Sequence, residues 1–598
     1  MKRAVGDDVT VDADVFTDGH DAVVAELLWK KTSDSQWHVA PMEFLGNDHW
    51  RASFRVGELG RYEYTVRGWT DAFLTWQRDL AKRQAAGQDL SVDFLIGGAL
   101  SCNPVLKDAA RPAKERYATA MALKPPPPDP SRVLQYERTL QVVVDPVRAR
   151  FSSWYELFPR SVRGDGTHAN LRDLIEFLPE LEAMGFDVLY LPPVHPIGVT
   201  ERKGKNNALQ AEPGDVGSPW AIGAKEGGHK ALHPELGTFA DFDALVAAAR
   251  KKDISIALDI AFQCSPDHPY VREHPEWFRA RPDGTIQYAE NPPKKYQDIY
   301  PFDFESKDSR GLWAELKSIF EFWIGHGVTI FRVDNPHTKA FAFWEWCIGE
   351  LKAKHPELIF LAEAFTRPRV MHKLAKLGFT QSYTYFTWRN TRHELDEYFT
   401  ELSQDPSREY FRPNVWPNTP DILHEALQHG GRPAFISRLV LATTLAANYG
   451  MYGPAFELME ATPREPGSEE YLNSEKYEIK QWHRERPDSL RGLITRLNQV
   501  RHENPALQSD WSLRFHPTDN DQLLCYSKQA GQNLILVVVN LDSHHQQAGH
   551  IDFDRAPTDS YALEDLVAAG HYTWHGRRNF VQLNPHTLPA HVFRVTRQ

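Results

Sequence analysis

Cysteine is nearly absent: four residues among 598, namely Cys102, Cys264, Cys347 and Cys525, with no CxxC pair among them. That scatter excludes a disulfide framework and gives no zinc-ligand spacing. No apolar run approaches the roughly 20 residues of a membrane span. The opening Met1-Lys2-Arg3-Ala4-Val5-Gly6-Asp7-Asp8 lacks the apolar core of a secretion signal, so a soluble, cytoplasmic protein without a membrane is expected. Basic residues are in deficit, 68 Lys and Arg against 80 Asp and Glu, for a net charge of −12. A nucleic-acid backbone would be repelled, and no nucleic-acid partner is expected. That balance still permits a local basic pocket for a small anion. There is no internal repeat, no low-complexity tract and no phosphate-cradling P-loop.

Aromatic side chains are plentiful, with 17 Trp, 21 Tyr and 32 Phe. Large cores account for such an excess, and so does the stacking of rings on sugar faces. The length demands several domains. Residues 1–100 contain short alternating segments separated by turn residues, such as Ala22 to Trp29 and Arg61 to Trp69, which predicts an Ig-like β-sandwich. Residues 101–145 change to a helical composition at 107–123. Lys124-Pro125-Pro126-Pro127-Pro128-Asp129-Pro130 then forms an extended polyproline linker. Over 146–508, apolar strand-like runs alternate with helical spacings about eight times, which predicts an α/β fold of the (β/α)8 TIM-barrel type. Residues 509–598 return to short strands and predict a C-terminal β-sandwich.

The chain centres on Val328-Thr329-Ile330-Phe331-Arg332-Val333-Asp334-Asn335-Pro336-His337. A β-branched and aromatic strand delivers Arg332 and Asp334 two residues apart, hence to one face, and a helical segment follows. Alone, the pair could equally be a structural ion pair. Two more strand ends carry carboxylates, Glu363 and Asp421, and Asp259 lies within a third. Cleaving a glycosidic bond with retention needs a nucleophilic carboxylate and a proton donor about 5 Å apart, and a further carboxylate can favour the cationic transition state. Arg332 would keep Asp334 ionised, whereas Glu363, followed by apolar Ala364 and Phe365, is better placed to hold a proton.

The order Asp259, Phe331-Arg332-Val333-Asp334, Glu363 and Asp421 resembles the α-amylase superfamily, glycoside hydrolase family 13. The resemblance implies Asp334 as nucleophile, Glu363 as general acid and base, and Asp421 as transition-state stabiliser. Two departures stand out. Gln263-Cys264 replaces the usual Asn-His, and Pro420-Asp421 replaces the usual His-Asp, which puts the customary calcium site in doubt. These departures resemble one subfamily, the α-1,4-glucan:maltose-1-phosphate maltosyltransferases. So do the stretches at 201–207, 260–269, 289–300 and 473–478, Asn335, and Asn418-Thr419-Pro420-Asp421. The likeness spans the whole chain. It implies an α-maltose 1-phosphate donor, an α-1,4-glucan acceptor, no cofactor or metal, and a homodimer contacting through the N-terminal and helical-insert regions. It further implies donor contacts from Lys203, Gln263, Asp298 and Asn335, and Arg332 is expected among the substrate-binding residues. Asn291, Lys294, Tyr296, Lys476 and Tyr477 supply donors and charges suited to phosphate oxygens, although Lys294-Lys295 alone would be a solvated charge pair. A neutral-glucan hydrolase or transglycosylase, or a non-catalytic glucan-binding barrel, remain the alternatives.

Overall fold

The computed structural model describes residues 1–292, 294–555 and 559–597. The chain divides into two compact units, Met1–Val144 and Asp145–Gln598. In the first, a sheet built on Val23–Lys31, Gly60–Thr70 and Leu140–Asp145 faces a second sheet of Asp8–Asp14, Glu43–Gly46 and His49–Arg55. Between them lies a core that includes Val9, Val11, Leu27, Phe54, Tyr64 and Val142.

One expectation for this unit needs correction. The pattern predicts strands to about residue 98 and helix only from 107, but helices begin at Ala72–Ala85 and continue with Ser91–Leu100. Asp71 caps the first by accepting from the Leu74 N–H. Phe73, Trp76 and Leu80 then recur at helical spacing and are buried with Phe94, Leu106 and Ala120 in a small core of their own. Gly97 is required there, because a Cβ would fall 1.9 Å from the Trp76 ring. Residues 124–129 carry neither helix nor strand, as four successive prolines require.

The second unit contains the barrel. Its eight strands, in chain order, are Ser152–Glu156, Val188–Leu191, Ser255–Ile260, Ile330–Val333, Ile359–Ala362, Gln381–Ser382, Asn414–Val415 and Asn448–Tyr452. All pair in parallel, and a parallel bridge between Ser382 and Pro413 closes the ring. A helix follows each strand, from Leu171–Ala183 after the first to Arg491–Glu503 after the eighth. Capping boxes at Asn170, Thr238 and Thr391 start three of them. Beyond the barrel, antiparallel strands from Arg514–His516 to Ala590–Arg597 form the C-terminal β-domain. Among the described residues no helix is long and apolar enough to cross a membrane.

Inside the barrel, Trp154, Val188, Tyr190, Ala257, Ile330, Ile359, Leu361, Tyr383 and Trp416 form one apolar plug. Strand side chains alternate with period two. One step above the plug, the same inward face therefore carries Glu156 after Trp154, Asp259 after Ala257, Arg332 after Ile330 and Glu363 after Leu361. The fold thus sets a layer of charge on an apolar floor, at the end of a parallel barrel where active sites assemble.

The seam between the first and eighth strands depends on a buried cation. Arg501, fully buried, donates to the carbonyls of Thr443 (2.6 Å), Ala446 (3.1 Å), Ala447 (2.6 Å) and Ser152 (3.3 Å). Arg501→Met strands those carbonyls and should cost about 3 kcal/mol or more. The urea midpoint should fall with an unchanged slope, and an unchanged midpoint would contradict this role.

Candidate active site

Arg332 holds the centre. Its Nη1 lies 2.8 Å from Asp259 Oδ2 and 3.0 Å from Asp334 Oδ1, and its Nη2 lies 2.6 Å from Glu363 Oε1. Register explains the set: Asp259 pairs with Arg332 across the third and fourth strands, and Glu363 directly follows the fifth. The guanidinium packs between Tyr190 and Tyr383, whose ring centroids lie 5.7 and 5.8 Å away, and the Tyr190 hydroxyl donates to Asp259. All four charged groups are buried, so the mutual interactions act with little water screening.

The two carboxyls that bracket the guanidinium titrate apart. Burial alone would raise Asp334, but Arg332, then Lys339 and Lys476, bring it below its ordinary value. Burial pushes Glu363 up to about 8, and Asp334, Asp421 and Asp259 add to this against the pull of Arg332. The contact of Glu363 with Arg332 would by itself favour the carboxylate. One guanidinium shared among three carboxyls does not neutralise them all, so we assign Glu363 a proton near neutrality. Burial likewise lifts Asp259 to about 7. A paired ionised and protonated carboxyl is the equipment of acid–base and nucleophilic chemistry at one carbon.

Around this pair stand the walls. Asn335 takes a left-handed conformation (φ 41°), which Asn tolerates better than most residues. Its N–H thereby lies 3.3 Å from Glu363 Oε2 and its Nδ2 3.4 Å from Asp334 Oδ2. Asp421 is half exposed and pairs with Lys476 at 2.6 Å. The Lys476 ammonium sits 4.8 Å from the Trp220 ring centroid, while Gln263 donates to the Trp220 carbonyl. Tyr477 is buried beside Lys476, and burial raises its phenol. Lys203, also buried, donates to Gln297 at 2.8 Å. Burial raises neighbouring Asp298, a shift that Lys203 and Lys476 oppose. Lys476 keeps its proton against burial chiefly through Asp421, and Tyr296 is among the groups near it. Ala289–Asn291 and Lys294–Tyr296 form a hairpin, but the side chains of Asn291 and Lys294 lie outside what is described. Apart from those two, the structure brings every residue singled out in the sequence into one connected neighbourhood.

Comparison with known proteins gives the family. Residues 1–152 match a family model described as "Alpha-1,4-glucan:maltose-1-phosphate maltosyltransferase, domain N/S", and residues 515–595 match one described as "GLGE, C-terminal". A relative named α-1,4-glucan:maltose-1-phosphate maltosyltransferase from Chlorobaculum tepidum is 52% identical over 633 residues, covering 100% of this chain and 94% of its own. Its namesake from Methylacidiphilum infernorum is 49% identical, covering 100% and 93%. The chain belongs to the α-1,4-glucan:maltose-1-phosphate maltosyltransferase family. Among solved structures, a maltogenic α-amylase from Thermotoga neapolitana superposes with a TM-score of 0.58 at 19% identity, covering 75% of this chain and all of that one. An α-amylase from Lactobacillus plantarum gives 0.56 at 19%, covering 73% and 99%. These two share the barrel fold.

Within this maltosyltransferase-family chain, two features beside the site are structural. Cys264, His229 and His268 lie close enough to hold a metal ion. However, His268 Nδ1 accepts from the Tyr270 N–H (3.0 Å), its Nε2 faces His229 Nδ1 (3.1 Å), and His229 Nε2 donates to the Ala261 carbonyl (2.9 Å). One proton arrangement satisfies that whole chain and leaves neither imidazole a free lone pair. Arg160 donates to the carbonyls of Gly217 and Glu475, and Arg202 to those of Ile197, Gly198 and Asp215. The two arginines tie down the loops that present Lys203 and Lys476.

Lys339, Trp220, Tyr190, Tyr383 and Glu156 belong to the neighbourhood without having been singled out in the sequence. Glu156 carried a usable signal, since it ends a strand as Glu363 follows one.

Arg332→Met should remove the one cation that Asp259, Asp334 and Glu363 share and cost about 3–5 kcal/mol. Carboxyls raised in the folded state keep protons that the unfolded chain has lost, so the deficit should widen as pH rises from about 4 towards 8. Urea unfolding at both ends of that range checks the sign, and a deficit independent of pH would contradict it.

Proposed function

We propose that the chain transfers a maltosyl unit from α-maltose 1-phosphate to the non-reducing end of an α-1,4-glucan, with retention and release of phosphate. One arrangement carries the reading: Asp334 and Glu363 share the Arg332 guanidinium, while Lys339 and Lys476 act on Asp334 and Lys203 acts on Asp298. A neutral-glucan hydrolase has no need of this cationic surround, whereas a phosphate dianion requires it. The names of the relatives agree with it.

The steps follow from the protonation states. An Asp334 oxygen attacks the anomeric carbon, the bond from that carbon to the phosphate oxygen breaks, and Glu363 passes its proton to the departing oxygen. A β-maltosyl ester on Asp334 results. Glu363, now a carboxylate, takes the proton from the 4-hydroxyl of the glucan terminus, whose oxygen displaces Asp334 and restores the α configuration. Asp421, held by Lys476, stabilises the positive charge that develops on the sugar ring. Asn335, Lys203, Gln263, Asp298, Arg332, Tyr296, Lys476 and Tyr477, with Asn291 and Lys294, bind donor sugar and phosphate. Nothing in these steps calls for a metal or an organic cofactor. By likeness to its family, the chain acts in the cytoplasm on glycogen-like glucan and works as a homodimer.

Inorganic phosphate should appear from α-maltose 1-phosphate only with a maltooligosaccharide acceptor, together with products longer by two glucose units. Shortened oligosaccharide without phosphate would return the chain to amylase-type hydrolysis. Because Glu363 must start protonated, kcat/KM for the donor should fall above an apparent pKa of about 8. A basic limb set far below that value would contradict the assignment of the acid.

A further inference from the structure

Glu156 is the one carboxyl of the charged floor that nothing supports. It closes the first barrel strand, in register with Tyr190 on one side and Tyr452 on the other. It is 1% exposed, and its Oε2 is enclosed without any hydrogen-bond partner. Among the described residues no cation comes within ion-pair reach of it; the guanidinium of Arg332 goes to Asp259, Asp334 and Glu363.

None of the hydroxyls nearby bonds Glu156. Tyr190 donates to Asp259, Tyr452 donates to Glu475, and Tyr471 accepts from the Asn418 amide. The fourth tyrosine, Tyr383, has its ring against Arg332. The charges facing Glu156 are Arg332, Asp259, Asp421 and Glu363, three of them of its own sign if ionised. A buried carboxylate with no cation and no donor is untenable at neutral pH, so the group takes a proton, and burial raises it far above its usual range. A neutral carboxyl at the floor of a sugar site offers one donor and one acceptor, and the protein uses neither.

We propose that Glu156 is a neutral acid reserved for the substrate: its carboxyl hydrogen-bonds a hydroxyl of the glucosyl ring seated over Asp334. Its neutrality also matters to the bound phosphate. A further carboxylate on this floor would repel the donor dianion and hold Glu363 protonated to still higher pH. The inference rests on the proposed reaction and adds to it a residue on the first strand.

The test compares Glu156→Gln, which keeps a neutral donor and acceptor, with Glu156→Leu, which keeps volume alone. The substrates are α-maltose 1-phosphate and analogues lacking one hydroxyl of the phosphate-bearing ring. Glu156→Gln should stay within a few-fold of the parent. Glu156→Leu should lose roughly ten- to a hundredfold in kcat/KM. One deoxy analogue should cost the parent a similar factor and cost Glu156→Leu nothing more. Full activity in Glu156→Leu, or additive losses with every analogue, would overturn the proposal.

Protonation has its own readouts, which also serve if Glu156→Leu does not fold. The infrared C=O stretch of a neutral carboxyl should persist in the parent above the Glu363 value of about 8 and vanish in Glu156→Gln. The basic limb of kcat/KM should stay in place in Glu156→Gln. If Glu156 were ionised, its removal would instead shift that limb to lower pH. A parent enzyme that releases no phosphate from α-maltose 1-phosphate at all refutes the reaction itself, whereas additive losses in an active enzyme refute only the role of Glu156.

Discussion

The structure of the site depends on one guanidinium shared by more carboxyls than it can neutralise. Arg332 touches Asp259, Asp334 and Glu363, and the unpaired remainder of negative charge has to be carried as protons. Position decides where the protons rest. Asp334 lies where Lys339 and Lys476 add to Arg332, so it remains the anion. Burial raises Glu363 against the pull of Arg332, and Asp334, Asp421 and Asp259 add to the rise, so it keeps its proton. In the proposed reaction, nucleophile and proton donor would thus differ by their surroundings, not by residue type.

That arrangement is costly, and the rest of the barrel makes it possible. The apolar plug below keeps water out, so the charges see one another strongly. Strand registers fix Asp259 against Arg332, and the hydrogen bonds of Arg501 close the seam that would otherwise let the strands shift. The lysines that shape the field come from loops distant in sequence. Arg160 and Arg202 hold those loops through main-chain carbonyls, without adding carboxylates that would compete for Lys203 and Lys476.

Much of this was legible in the sequence because it rests on local periodicity. The β-branched run ending in Arg332-Val333-Asp334 marks a strand, and the two-residue step puts both charges on one face. Eight alternations of strand and helix give the barrel, and the solved amylases share it. The helices from Ala72 were harder to see. Ser91–Leu100 contains two glycines and is apolar nearly all round, so neither propensity nor a polar face announced it. Its fit depends on Trp76 meeting Gly97, a contact between two helices. Lys339 and Trp220 escaped for the same reason, since only the folded barrel brings them to Asp334 and Lys476. The roles assigned to individual side chains came from likeness to a family. The geometry supplies the physical reasons by which those roles become workable.

The most direct test of the account is to trap the ester it requires. Glu363→Gln cannot donate a proton, yet α-maltosyl fluoride needs none for its leaving group. The fluoride should therefore load the variant, and the missing base should slow transfer to the acceptor. Intact-protein mass spectrometry followed by peptide mapping should find one maltosyl group, on the peptide that contains Asp334. An unmodified protein under turnover, or a maltosyl group on any other carboxylate, would contradict the division of labour around Arg332.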